Sequence, residues 1–292
     1  MLPEGFTFSQ VSLQDFVDCR RRFALRYLMH VQWPAVESEP VEEQERRMRR
    51  GADFHRLIQQ HLLGIPEHKL TPSIEDPELG QLWQHYLDFR PIEQAAASRA
   101  YEVYPEVTLM TSISGHRLTA KYDVIVAIEN GEIILFDWKT STYRYGSDKA
   151  EARLQTRVYR SVVVRSGARL IEEDIVSPDK VTMVYWFAPH PNAPVRLPYS
   201  QMAYERDIDY LRELVAEIET ATEAGGDADT AISAFPKTDN TFLCRYCPFR
   251  SYCGRGVEAG DIDEQELALE LEAIDSESTF DFDFDQVAEI EF

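Results

Sequence analysis

Residues 120–141, AKYDVIVAIENGEIILFDWKTS, constrain the fold more than any other stretch of the chain. Two runs of β-branched and aromatic residues flank Asn130-Gly131, the strongest short-range hairpin signal. Side chains alternate faces along a strand, so Asp137 and Lys139 share a face with Leu135 and Ile133. Asp123 shares a face with Ile125 and Ala127. A charged pair bordering an apolar hairpin is costly unless it is solvated or used. The turn decides whether the two aspartates meet. A two-residue loop pairs Glu129 with Glu132 and sets Asp123 opposite Trp138. A three-residue loop, with Gly131 left-handed, pairs Ile128 with Glu132 and sets Asp123 opposite Asp137. If the aspartates hold a metal, the three-residue bulged turn, or an equivalent bulge elsewhere in the hairpin, is expected.

Around this hairpin the hydrophobic period alternates between that of helix and that of strand. Residues 7–30, 42–63, 79–89, 148–166 and 200–224 read as helices, and 66–80 as loop. Residues 101–111, 118–128, 133–140 and 180–188 read as strands, and 190–198 is proline-rich. Two carboxylates one strand apart form a point for a hard cation, Mg²⁺ or Mn²⁺, which prefers oxygen ligands. Such an ion acidifies water and neutralises charge at a phosphodiester, with Lys139 placed to stabilise developing negative charge or position the attacking water. Taken alone, D-x-K also fits an exposed ion pair at a strand end.

Four cysteines occur: Cys19, Cys244, Cys247 and Cys253. Three are clustered and one lies far upstream, a pattern that points to a metal or cluster site rather than a disulfide framework. Thiolate-only ligation suits an iron–sulfur cluster or zinc.

Together these pieces resemble the PD-(D/E)XK nuclease superfamily, in the branch that includes the RecB-type, AddB-type and Cas4 nucleases. The matching pieces are Ser9-x-x-Ser12 with Cys19 and Arg22-Phe23, then Gly51-Ala52-Asp53-Phe54-His55. They continue with Asp123, Asp137-Trp138-Lys139-Thr140, Gln155-Thr156-Arg157-Val158-Tyr159 and Cys244-x2-Cys247-x5-Cys253. They occur in the family's order, although Arg20 stands after Cys19 where the family usually has proline. The resemblance implies an α/β fold, a mixed sheet flanked by helices with iron–sulfur-stapled terminal segments. It implies that His55, Asp123, Asp137 and the Trp138 carbonyl ligate the divalent ion, with Lys139 the catalytic lysine. It implies that Gln155 and Tyr159 hold DNA. Glu106 lies where some members carry a further acidic residue, with Glu102 competing for that slot. The four cysteines would hold a [4Fe–4S] cluster, with zinc the alternative. Arg153, Arg157 and Arg160 are phosphate-contact candidates, or else a solvated helix face.

The chain divides, on this reading, into a helical region 1–100 with Cys19 and His55, a nuclease core 101–235, a cysteine segment 236–257 and an acidic tail 258–292. The formal charge is −21, from 30 basic and 51 acidic residues. The tail holds 14 acidic residues and no basic ones, so 37 acidic residues remain in the body, a charge of −7. That balance argues against a general nucleic-acid binder, so DNA affinity must come from local arginines and the ion. The tail reads as disordered, with a short helix at 261–274. It is either a solvated appendage, a phosphate mimic over the DNA groove, or a dock for a protein partner. No apolar run long enough to span a bilayer occurs, and the N-terminus lacks a secretory pattern, so no membrane and a cytoplasmic location are expected. The functional expectation is a Mg²⁺- or Mn²⁺-dependent deoxyribonuclease, an exonuclease on single-stranded ends or flaps, in DNA repair, recombination or CRISPR adaptation. Two alternatives are a non-catalytic DNA-end-binding or adaptor subunit and a zinc-bound interaction module.

Overall fold

A computed structural model describes residues 2–31, 39–97, 99–171, 173–225, 233–245 and 247–256. The expectations for the acidic tail, residues 258–292, fall outside them. In chain order the elements are β1 (Thr7–Ser9), α1 (Gln10–Asp18), α2 (Arg20–Phe23), a π-helical turn Ala24–Leu28, α3 (Glu39–Leu62), α4 (Glu67–Leu70), α5 (Pro77–Phe89) and α6 (Pro91–Ala96). There follow β2 (Tyr101–Ile113), β3 (His116–Ile128), β4 (Ile133–Lys139), α7 (Ser147–Ala152), α8 (Leu154–Ser166), β5 (Val181–Phe187), β6 (Val195–Pro198), α9 (Gln201–Ala224) and α10 (Phe242–Arg245). They fall into two compact units, Glu43–Glu213 and Met1–Glu42 with Leu214–Phe292.

In the Glu43–Glu213 unit the strands run β2-β3-β4-β5-β6 across a mixed sheet. The β2–β3, β3–β4 and β5–β6 pairs are antiparallel, and β4–β5 is parallel. The expected three-residue turn is present. Gly131 is left-handed at φ 79°, the Ile128 N–H donates to the Glu132 carbonyl at 2.8 Å, and Val124 lies opposite Phe136. That register extends to Asp123 and Asp137, so the two acids come side by side.

Every residue of β4 is buried, the mark of a central strand covered on both faces. Ile134, Phe136 and Trp138 face one way, into a core with Phe54 and Ile58 of α3 and Trp83 and Tyr86 of α5. Trp138 packs edge-on against Trp186, with ring centroids 5.8 Å apart. Burying such side chains contributes roughly 1.5–3 kcal/mol each, and so fixes α3 against the sheet. Asp137 and Lys139 face the other way.

In the second unit α1 starts at a capping box. The Ser12 N–H donates to Ser9 Oγ at 3.2 Å, and the Ser9 N–H donates to Ser12 Oγ at 2.9 Å. This gives Ser9-x-x-Ser12 a local structural purpose. The single helix expected over 7–30 is in fact broken at Cys19, where the backbone is extended (φ −159°). Phe16, Phe23 and Phe235 pack together there.

The helix expected over 148–166 is likewise two helices, because Arg153 is extended between them. The loop expected over 66–80 holds α4 and a 3₁₀ turn, and β6 lies in the proline-rich segment. Both are too short for periodicity to reveal.

Candidate active site and cysteine site

The hairpin register sets Asp123 beside Asp137, and α3 adds His55. Gly51, one helical turn before His55, lets α3 come close to the end of β4. A Cβ on it would already touch Thr140 Oγ1, at 3.4 Å. His55 Nδ1 stands 3.2 Å from Asp123 Oδ1, and His55 Nε2 stands 2.9 Å from the Trp138 carbonyl. The other Asp123 oxygen accepts from the Trp138 N–H at 2.8 Å. Both ring nitrogens of His55 face acceptors, an arrangement that favours the doubly protonated ring. Burial alone would lower its pKa. The Asp123 charge and hydrogen bond outweigh that, helped by Asp137 and Glu106, and push it up to about 9. Burial works to raise the Asp123 carboxyl too, but His55 and the Trp138 N–H hold it below its ordinary value.

Glu106 completes this group. One ligand atom each from His55, Glu106 and Asp123 lie within 4.8 Å of one another, a set able to hold a metal ion. Burial, and then the Asp123 charge, raise the Glu106 pKa. Its backbone is left-handed in mid-strand (φ 53°), a strained conformation for a non-glycine residue. Glu102, the competing residue, is exposed and accepts from the Tyr104 hydroxyl at 2.5 Å. The deciding signal was the Ser114-Gly115 turn. Both residues are left-handed there, Ile113 pairs with His116, and the register brings Glu106 opposite Asp123.

On the face of β4 turned away from Trp138, Asp137 is only 4% exposed and Lys139 7%. Neither is the solvated pair that D-x-K alone would allow. Lys139 Nζ lies 2.8 Å from Asp137 Oδ2, and Gln155 Nε2 donates to Asp137 Oδ1 at 2.6 Å. Burial raises the Asp137 pKa, which the Lys139 ammonium only partly offsets. Tyr185 was not foreseen. Its hydroxyl contacts Gln155 Oε1 at 3.5 Å and Thr156 Oγ1 at 2.7 Å, and Lys139 Nζ lies 5.5 Å from its ring centroid.

Tyr159 is buried with its ring 5.0 Å from that of Tyr122. Arg160 of α8 is not on a solvated face. Arg160 is fully buried, held by both carboxylate oxygens of Glu151 at 2.7 and 2.8 Å and by Asp207 at 3.2 Å. As a phosphate contact it is ruled out, because it is enclosed by acids. Arg157 lies over Tyr210 and 3.6 Å from Asp207.

In the other unit Cys19, Cys244, Cys247 and Cys253 line one cavity. None is in a disulfide. Burial raises the Cys247 thiol to about 11 and lifts Cys244 and Cys253 above their ordinary value.

The sequence model of the PD-(D/E)XK nuclease superfamily matches residues 7–254. The chain belongs to that superfamily. This nuclease sequence matches no curated protein. Solved structures similar to it include SSO0001, with 15% identity over 85% of each chain and a TM-score of 0.36. Another is an inferred exonuclease from Eubacterium rectale, with 11% identity over 89% of this chain and 92% of that one, and a TM-score of 0.49. The family assignment rests on the sequence match alone. In this nuclease fold, among the described residues, no helix is long and apolar enough to cross a membrane.

Proposed function

We propose that the protein is a Mg²⁺- or Mn²⁺-dependent deoxyribonuclease of the RecB, AddB and Cas4 branch, acting as an exonuclease on single-stranded DNA ends or flaps in repair, recombination or CRISPR adaptation. The observation that carries the reading is the doubly acceptor-bound His55. Its Nε2 and the Trp138 carbonyl are 2.9 Å apart, near the roughly 3.0 Å edge between adjacent ligands of an octahedral ion with bonds of about 2.1 Å. His55, Asp123, Asp137 and the Trp138 carbonyl would hold the ion, with Glu106 as a further carboxylate.

A bound divalent ion supplies Lewis acidity at the phosphodiester and acidifies water. Lys139 contributes a buried ammonium that stabilises charge developing on the phosphate. Asp137 and Gln155 fix its position, and Tyr185 stacks beside it. Gln155 and Tyr159 would steady the DNA strand.

The four cysteines would carry a [4Fe–4S] cluster. One upstream and three clustered cysteines, rather than two local pairs, support a cluster over a structural zinc.

The test is digestion of end-labelled single- and double-stranded DNA with Mn²⁺ by the wild type, Asp137→Ala and Lys139→Ala. Cleavage by the wild type and its loss in both variants is expected. Equal cleavage by all three overturns the assignment.

A further inference from the structure

The cysteine cavity has a wall that the thiols alone do not explain. Arg22, Lys237, Arg250 and Arg255 line it, and among the described residues no carboxylate does. Arg22 is fixed from behind. Its Nε pairs with Asp15 Oδ1 at 2.7 Å and its Nη2 with Asp18 Oδ2 at 2.6 Å, and Gln14 Nε2 steadies Asp18 from 2.7 Å. The Arg22 side chain is 2% exposed, so the guanidinium cannot swing out to water. Arg22 offsets the two buried acids behind it, and its side chain also lines the thiol cavity. Lys237 is anchored too, its ammonium donating to the carbonyl of Cys253. Arg255 is held by the Thr238 carbonyl at 3.1 Å.

Four thiolates around an iron–sulfur core make a centre that is anionic when oxidised and more so after one-electron reduction. Fixed cations stabilise the more negative state, so they raise the reduction potential.

We propose that this basic wall sets the charge state and reduction potential of the cluster, with Arg22 as the fixed positioning residue and Lys237 and Arg255 as the adjustable outer charges. The inference rests on the iron–sulfur reading and deepens it.

The experiment uses the full chain, purified without oxygen. Iron, sulfide and zinc are quantified, the visible spectrum is recorded, and the midpoint potential is measured by titration with dithionite. Lys237→Gln and Arg255→Gln each remove a charge without exposing a buried acid, so both should fold and keep the cluster. Their midpoint potentials are expected to fall below that of the wild type. The difference should shrink in high salt, because these two residues are within reach of water and are screened. Arg22→Gln leaves Asp15 to Arg26 and Asp18 to Gln14, and is expected to shed the cluster faster than Arg22→Lys. A wild type with iron and sulfide, but with both glutamine variants at its own potential, overturns the basic-wall inference and leaves the cluster reading standing. A wild type with zinc, or without metal, overturns both.

Discussion

In the hairpin site the place an ion would take on the proposed reading is bordered by other positive charge. A doubly protonated His55 bridges Asp123 and the Trp138 carbonyl, and the Lys139 ammonium sits on Asp137. Each acid there has a partner before any metal arrives. In the cysteine cavity burial holds the Cys247 thiol at about 11 and raises Cys244 and Cys253. A cluster would have to draw the protons off as it binds, and its binding free energy would become folding free energy. One site is folded first and filled afterwards. On the proposed reading the other is completed by what fills it.

The largest effect should come from Cys247→Ser. If the cluster is part of the fold, the variant loses on the order of several kcal/mol in its unit. Hydrogen exchange would rise across 10–28 and 242–256 while 122–128 and 133–139 stay protected. Removing divalent ions with EDTA should leave both regions protected. An equal loss of protection on EDTA treatment would erase the contrast between the sites.

Asp123→Asn comes next. It removes the partner of His55 and, on the proposed reading, a metal ligand, so single-turnover cleavage with Mn²⁺ should fall about 10³-fold, equivalent to roughly 4 kcal/mol. The variant should melt below the wild type at about pH 6 and approach it above about pH 9, because the His55–Asp123 pair is lost.

The pH dependence sharpens the placeholder idea. The His55 pKa is raised to about 9 in the folded, metal-free protein, from about 6.5 when unfolded. Its contribution to stability is therefore complete below pH ~6.5 and is lost as pH rises through about 9. Metal must displace the same proton, so Mn²⁺ affinity should rise about tenfold per pH unit up to about 9. Calorimetry in buffers of different ionisation enthalpy should count close to one proton released near neutral pH. No release would mean that His55 is not a ligand.

Glu106→Gln should give the smallest change, about tenfold weaker Mn²⁺ binding by titration calorimetry, since a neutral amide oxygen remains in reach. An unchanged affinity would remove Glu106 from the cage and leave its left-handed backbone unexplained.

Much of the site was legible because it is local. The apolar runs and Asn130-Gly131 named the hairpin. The choice between its two registers could be posed as a question about one bulged turn, and the structure has the turn that joins the acids. The capping serines and the break at Cys19 were less visible. The same residues keep helical spacing on either side of the break, and only the extended Cys19 backbone interrupts it. Arg160, left open by the sequence between a phosphate contact and a solvated face, is neither, because helical spacing gives the face a residue occupies and not its neighbours. Asp207, 47 positions after Arg160, supplies the acid that encloses it.

The sequence by itself determined the strand faces and the hairpin and left two registers, one of which sets Asp123 beside Asp137, since turn chemistry and two-residue alternation act over a few residues. Only the tertiary structure decided that His55, out of seven histidines, reaches those acids, and that Glu106 does so in place of Glu102. Those meetings depend on how α3 packs through Phe54 onto Trp186 and on how β2 registers with β3. Side-chain volume and long-range pairing settle both, and neither leaves a periodic trace along the chain.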